Sequence, residues 1–462
     1  MHQAALPLLA ALLLAAACGG EEPSPTATPS PSPTTVAPTK TSTPLAAATV
    51  TATPAYGGAL RAGVWAEIAG TGNCLNVREV PGVKQPSIIN DCLPDGYVGY
   101  LVGEPRQVDG HWWWKLAGVG WAAEEALRFY HEGFPWPQRP ELADAGEIAY
   151  VGADGNIWLM GADGSDQRRL TEQPPPGRVT ELAWSPRGDL LALATGGPST
   201  ILVIDLAGEA VLEIANAVSP SWSSDGSRLA YLGDIQQGEM EISAVPSVMS
   251  IPSREMRPVA DRASFYQGGP RWSPAGLQLL YDGPLGIHLV DVSGPQPAER
   301  VVVGSGENRG NWSYAQPVWS PDGQAFVFRF RDFALAEAPD SYALYSLAEE
   351  RVIFQVGTKG GCGREAGPED WQTDWTPDGR YFLDRGECAD DDLSNGIWAV
   401  DTQERTERRL LPVQGAHLTL SPDGRHLAFE VEGSLIWAAD SDGSGLTLLA
   451  EGRLPAWRPA GL

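Results

Sequence analysis

Leu454-Pro-Ala-Trp-Arg-Pro-Ala-Gly-Leu462 decides the fold. It is the opening half of a motif that recurs upstream, a Trp followed by Ser-Pro-Asp-Gly or a close variant, after which an apolar segment follows. Aligned on the Trp, the motif starts at Trp184, Trp222, Trp272, Trp319, Trp375, Leu420 (Leu in place of Trp) and Trp457. After each of the first six comes a run with strand character, at 190–194, 228–232, 278–281, 325–330, 381–383 and 426–431. A third strand follows, as at 201–204, 287–290, 397–400 or 435–438, and then a fourth, as at 351–356 or 446–449. Four strands in each unit of roughly 37 to 56 residues is the signature of a β-propeller blade. Pro-Asp-Gly suits the first hairpin: Pro presets φ, Asp bonds locally and Gly takes the positive φ. The repeated Trp is expected to be core, wedged between blades.

Trp457 lacks a second, third and fourth strand, and three unattached strands stand before the first full repeat, at 147–151, 156–160 and 168–170. The two ends are therefore expected to share a blade. A ring with one incomplete blade would leave a sheet edge and an apolar face uncovered. Completing it gives an all-β, seven-bladed propeller over 147–462, or six blades if one repeat is an insert.

Trp319-Ser-Pro-Asp-Gly, Arg425-His-Leu-Ala-Phe, Ile436-Trp followed by Ala439-Asp-Ser-Asp-Gly-Ser, and Arg169-Leu-Thr resemble the repeats of TolB-like propellers. The resemblance covers about 147–462 and implies the fold. The Tol–Pal partnership is not carried over, because the N-terminal region here is different.

Before the propeller the composition changes three times. An apolar run at 4–17 ends in Leu14-Ala-Ala-Ala-Cys18-Gly-Gly. Fourteen helical residues would span roughly 21 Å against about 30 Å of hydrocarbon, so a membrane span is disfavoured. Small residues before a lone Cys resemble the bacterial lipoprotein cleavage site, which implies a signal at 1–18 with Cys18 lipidated, export, and anchoring to the outer side of the cytoplasmic membrane or cell envelope. The linker at 19–56 follows; Pro, Thr and Ser fill 22 of the 36 positions from 21 to 56. Such a composition cannot bury apolar surface, and it gives a tether reaching on the order of 100 Å.

Residues 57–132 carry short apolar segments separated by Gly, Pro and Asp-Gly, which reads as a small β-barrel. In Trp112-Trp113-Trp114, strand alternation puts the outer two on one face and Trp113 on the other, so at least one is expected to be exposed. Cys74-Leu-Asn-Val-Arg78, Pro81-Gly82, Cys92-Leu-Pro-Asp-Gly96, Asp109-Gly110, Trp113-Trp-Lys-Leu116 and Gly120-Trp121 resemble the bacterial Src-homology-3-like family. That resemblance implies binding of peptides or of peptidoglycan stem peptides. Residues 133–146 then link the barrel to the propeller.

The net charge is −26. The tether holds −1 and residues 57–132 hold −3, leaving −22 for 133–462. Phosphate binding needs the opposite sign, so nucleic acid is excluded as a partner. With Cys18 lipidated, four of the five cysteines remain. Cys74 with Cys92 and Cys362 with Cys388 are expected as two local disulfides, each worth about 3 kcal/mol in the chain-entropy model. No Cys/His spacing supports zinc, and no metal or cofactor is expected.

Strand parity puts the Asp-Gly turns on one face of the propeller and the long connections at 261–269, 304–316, 332–341, 357–372 and 386–395 on the other. Variable loops on a rigid scaffold are where function sits. Tyr266, Trp312, Tyr314 and Trp371 lie there outside the repeat pattern, with Arg309, and these residue types anchor partners. Trp112 adds a candidate in the barrel. The sequence contains no Gly-x-Ser-x-Gly elbow, and no hydrolase-sized segment follows the repeats. None of the six His shows ligand spacing. The expectation is a non-catalytic, monomeric scaffold that binds protein, peptide or cell-wall partners and meets the membrane through its lipid alone. A glycan-acting propeller enzyme, a lyase or glycosidase, is the alternative.

Overall fold

The computed structural model describes residues 60, 64–72, 74–78, 80–85, 93–95, 98–116, 120–131, 139–197, 199–237, 242–261, 263–264, 268–283, 286–304, 312–332, 341–356, 374–385, 396–411, 415–431 and 434–461. From residue 147 onward these form seven antiparallel sheets, each with a path of four strands. We number them by the repeat that opens each one. Sheet 1 runs Val179–Trp184, Leu190–Thr195, Thr200–Asp205 and Ala210–Ala215. Sheets 2 to 6 start with the strands that end at Trp222, Trp272, Trp319, Trp375 and Leu420. Sheet 7 takes its first strand, Arg453–Trp457, from the last repeat and its other three, Glu147–Val151, Ile157–Gly161 and Arg168–Arg169, from far earlier in the chain. The pairing is Trp457 with Ile148, Ala456 with Ala149 and Arg453 with Val151.

The apolar clusters show how the sheets meet. Leu159 and Leu170 of sheet 7 pack with Leu182 and Trp184 of sheet 1. Ile201 of sheet 1 packs with Trp222 and Leu229 of sheet 2, and Val248 of sheet 2 with Trp272 and Leu279 of sheet 3. Leu289 of sheet 3 joins Trp319 and Phe326 of sheet 4, and Leu344 of sheet 4 joins Trp375 and Tyr381 of sheet 5. Phe382 of sheet 5 meets Leu420 and Leu427 of sheet 6. Ile436 of sheet 6 packs with Trp457 and Ile148, which returns the series to sheet 7. Each sheet buries both faces against its two neighbours, and the series closes. The fold is a β-propeller.

Each repeat Trp lies in the contact with the preceding sheet and is at most 9 % exposed, so the residue that defines the repeat also defines the joint. The hairpin after it is built as its chemistry requires. Gly226 and Gly323 hold φ of 69° and 66°, where a side chain would be strained. Ser223 and Ser320 each donate to the Asp two residues on, at 2.6 Å.

Two boundaries differ from the sequence reading. Residues 261–269 were expected to be loop, yet Ala263–Ser264 forms a fifth strand on sheet 2, against Ser243 and Ala244. The segment 304–316 was also expected to be loop, whereas the inner strand of sheet 4 already begins at Trp312. The second hairpin of sheet 2 extends to Gln237 and restarts at Ile242, longer than its counterparts in the other sheets, and the extra strand pairs with this extension.

Ahead of the ring, Trp65–Ile68, Val98–Val108, His111–Leu116, Gly120–Ala123 and Leu127–His131 make one five-stranded sheet, and Cys74–Leu75 pairs with Leu93–Pro94. Its core, with Ile68, Leu101, Trp114 and Leu116, is continuous with the cluster between sheets 5 and 6. Residues 139–146 bind to the ring. Leu142 is buried against sheets 6 and 7, and Arg139 donates to the Asp440 carboxylate at 3.0 Å and to the Gly445 carbonyl at 2.7 Å.

Candidate functional site

At the tight-turn end the hydroxyls cap their own hairpins, while arginines bridge neighbouring turns: Arg228 donates to the Gly276 carbonyl and Arg458 to the Gly188 carbonyl, each at 2.7 Å. Ser421 donates to Asp423 at 2.6 Å and accepts the backbone N–H of His426 at 3.0 Å; Thr376 does the same with Asp378 and the N–H of Arg380. Ser223 and the Ser227 N–H and hydroxyl hold the Asp225 carboxyl down to about 2.

At the variable-loop end the inner strands carry bulges that bring charge together. Register shifts interrupt the first pairing of sheets 1, 2, 4, 6 and 7. In four of these, the residue three before the repeat position takes a left-handed backbone: Ser219, Gln316, His417 and Leu454, with φ of 57°, 54°, 52° and 56°. None is Gly, so the surrounding structure holds strained backbone at one layer of the ring.

Charged groups gather at and beside this layer. Glu181 of sheet 1 pairs with Arg271 of sheet 3 at 3.0 Å, crossing sheet 2, where the inner strand carries only the small residues Ser219, Pro220 and Ser221. Arg453, on the closing strand, donates to the Val179 carbonyl of sheet 1 at 2.6 Å. Glu430 of sheet 6 accepts the Leu454 N–H at 3.1 Å and lies 3.8 Å from His417 Nε2. His417 is 6 % exposed, and its Nδ1 has no hydrogen-bond partner among the described residues. Burial, and then the positive charges of Arg453 and Arg178, push its imidazole down to about 4, so it is neutral at neutral pH. Asp282 and Arg329, buried in sheets 3 and 4, occupy the position that Glu430 holds in sheet 6, ten residues past the repeat residue.

Three other histidines are bound to carboxylates. His288 Nδ1 meets Glu299 at 2.7 Å, with Tyr281 stacked on its ring and donating to the same Glu299. His426 Nδ1 meets Asp440 at 2.8 Å, and His111 Nδ1 meets Glu125 at 2.8 Å. The Asp440 carboxylate, which begins the Asp-Ser-Asp-Gly-Ser turn, is thus taken up by Arg139 and His426. No metal-sized group of His, Cys, Asp and Glu occurs among the described residues.

Of the residues singled out from sequence, Tyr314 sits on the inner strand of sheet 4, half-buried, with its ring 6.0 Å from that of Phe328 in the contact with sheet 3. Trp312 opens the same strand, paired with Asp332. Trp112 is 44 % exposed on the small sheet, while Trp113 and Trp114 are both buried. Trp114 faces the small core and donates to Glu124 at 2.8 Å; Trp113 is covered on the other face and donates to the Val108 carbonyl at 3.3 Å. Tyr266, Arg309 and Trp371, with Cys18, Cys92, Cys362 and Cys388, lie outside the described residues. Cys74 heads a strand whose partner begins at Leu93, next to Cys92 in sequence. The sequence reading missed Glu181, Arg271, His417, Glu430 and Arg453. Their signal was positional: His417 and Glu181 stand three before, and Glu430 ten after, the residue on which the repeats align.

No family model matches the chain, and no curated protein matches it. Among solved structures, the β-propeller domain of Cps50 (Swd1) from Myceliophteria thermophila has a TM-score of 0.45 at 13 % identity, over 62 % of this chain and 92 % of that one. An oligogalacturonate lyase in complex with manganese has a TM-score of 0.46 at 15 % identity, over 66 % and 86 %. Hydrazine synthase of Kuenenia stuttgartiensis has 0.45 at 15 %, over 61 % and 90 %. The fold assignment rests on the closed series of sheets, and chemistry is not transferred at this level of likeness.

Proposed function

We propose that the protein is an exported, lipid-anchored scaffold that binds protein, peptide or cell-wall partners without catalysing a reaction. The supporting observation is the variable-loop end of the ring, where charged side chains from several sheets meet at one layer: Glu181 with Arg271, Arg453 with sheet 1, and Glu430 with the closing strand. A rigid ring with fixed charge and varied loops at one end is built to recognise a surface. On this reading Cys18 carries the lipid, the segment 19–56 is the tether, and the loop residues Tyr266, Arg309 and Trp371, with Trp312 at the start of the inner strand of sheet 4, supply anchors. The small sheet acts as a bacterial SH3-like module that presents Trp112, with Cys74 bridged to Cys92 and Cys362 to Cys388.

The test is co-sedimentation of the full-length chain with purified peptidoglycan, beside affinity capture from envelope extract. Trp112→Ala, Trp312→Ala and Trp371→Ala are compared with the native chain. Loss of sedimentation with Trp112→Ala, or loss of a specific partner with the loop variants, supports the reading. A partner set and sedimentation unchanged in all three removes it, and turnover of an extracellular glycan by the purified chain would replace it with the lyase or glycosidase reading.

A further inference from the structure

The closing strand Arg453–Trp457 pairs with a strand some three hundred positions earlier, and side-chain contacts from sheets 6 and 1 add to that pairing. His417 occupies the centre of these contacts. It belongs to the inner strand of sheet 6, beside the closing strand, and is buried there in a left-handed conformation. Three elements face it with charge: Glu430 from the second strand of sheet 6, Arg453 from the closing strand, and Arg178 from the approach to sheet 1. Glu430 already accepts the Leu454 N–H, and Arg453 already spans to the Val179 carbonyl. The site is assembled around a neutral imidazole, with Nδ1 unpartnered among the described residues and Nε2 too far from Glu430 for a hydrogen bond.

We propose that His417 is an acid-sensitive latch for the ring, whose protonation loosens the closing strand from sheets 6 and 1. A proton on the imidazole puts a third positive charge beside Arg453 and Arg178 in a place closed to water. The carboxylate at hand, Glu430, is the one that holds the Leu454 amide. Charge is relieved either by drawing Glu430 off Leu454 or by letting Arg453 leave Val179, and both movements weaken the closing strand. The imidazole is depressed in the closed ring and returns to its ordinary range once opened, so the closed state is fully favoured above about pH 6.5 and loses ground down to about pH 4. The inference is independent of which partner the protein binds.

Hydrogen exchange of the full-length chain between pH 7 and pH 5, corrected for the intrinsic pH dependence of exchange, reads this directly. Amides of Arg453–Trp457 should lose protection on the order of twentyfold at pH 5 relative to pH 7, while those of Ala217–Trp222, the equivalent strand of sheet 2, should not change. His417→Asn should make protection of the closing strand independent of pH. Arg178→Gln, a change at an exposed position, removes one cation and should leave protection at pH 7 intact while shrinking the loss at pH 5. Equal behaviour of the two strands at both pH values overturns the proposal. So does an undiminished loss in Arg178→Gln, which tests the latch even if His417→Asn does not fold.

Discussion

The indole Nε1 of Trp184 donates to the backbone carbonyl of Ala456 at 3.1 Å, across 272 positions of sequence. Trp222 makes the same bond to Ala183, and Trp319 to Arg271, each at 3.0 Å. In all three the acceptor is the residue just before the Trp of the preceding repeat. The seam between the chain's distant segments is therefore a joint of the same design as those within the repeats. Trp184→Phe keeps an aromatic side chain and deletes the donor, leaving a half-buried carbonyl without this bond. It should cost about 1–3 kcal/mol in thermal or denaturant unfolding, and Trp222→Phe should cost the same. A Trp184 variant with no effect beside a destabilised Trp222 variant would show that the seam bears no load.

A second joint at the seam depends on a missing side chain. Gly208, with φ of 81°, lies in the last turn of sheet 1, and a Cβ there would stand 1.9 Å from the Leu170 carbonyl oxygen of sheet 7. Gly208→Ala should cost more than about 3 kcal/mol, because backbone has to move. Gly197→Ala has a similar φ of 86° and open space around it, so it meets conformational strain alone, about 1 kcal/mol. Melting temperatures of the pair separate the steric contribution from strain.

Neighbouring tryptophans in the small sheet should part company. Trp112→Ala removes an exposed ring and should change stability by less than about 0.5 kcal/mol. Trp114→Ala empties a core position and breaks the bond to Glu124, at about 3–5 kcal/mol. Loss of peptidoglycan or partner binding in Trp112→Ala with an unchanged melting curve is the outcome the binding role requires.

Acid should act in two windows. Asp225 is depressed to about 2, so its contribution is present above its ordinary range near pH 4 and lost as pH falls toward 2. Asp225→Asn should make the stability profile below pH 4 shallower, with the lowered turn carboxylates Asp378, Asp423 and Asp442 supplying the rest of its slope. The loss between pH 6.5 and 4 belongs to His417 and should persist in that variant. A profile unchanged below pH 4 would show that the turn carboxylate contributes nothing.

The fold was legible because its determinants are local and repeated. Trp, Pro, Asp and Gly at fixed offsets each have a conformational reason, and three orphan strands at 147–170 match what Trp457 lacks. The candidate site was less so. Its residues come from the inner strands of different sheets and, for Glu430, from a second strand, and bulges set where inner-strand residues such as the left-handed His417 point. A bulge adds a residue without a composition cue, so Glu181 and Arg271, 90 positions apart, give no sign in the sequence that they meet. In the small sheet one of the three tryptophans is exposed as expected, Trp112 at 44 %, while Trp113 and Trp114, on opposite faces, are both buried because the sheet is covered on both faces there.

Cross-linking across the seam tests the ring most directly. Ala149 and Ala456 are register partners on adjacent strands. In the double variant Ala149→Cys/Ala456→Cys, mild oxidation should form a disulfide in the folded full-length chain, identified by mass spectrometry of the linked peptides, with far-ultraviolet circular dichroism unchanged. Failure of that bond to form in folded protein, or capture of the thiol introduced in place of Ala456 by a different region, would contradict a ring closed by its last strand.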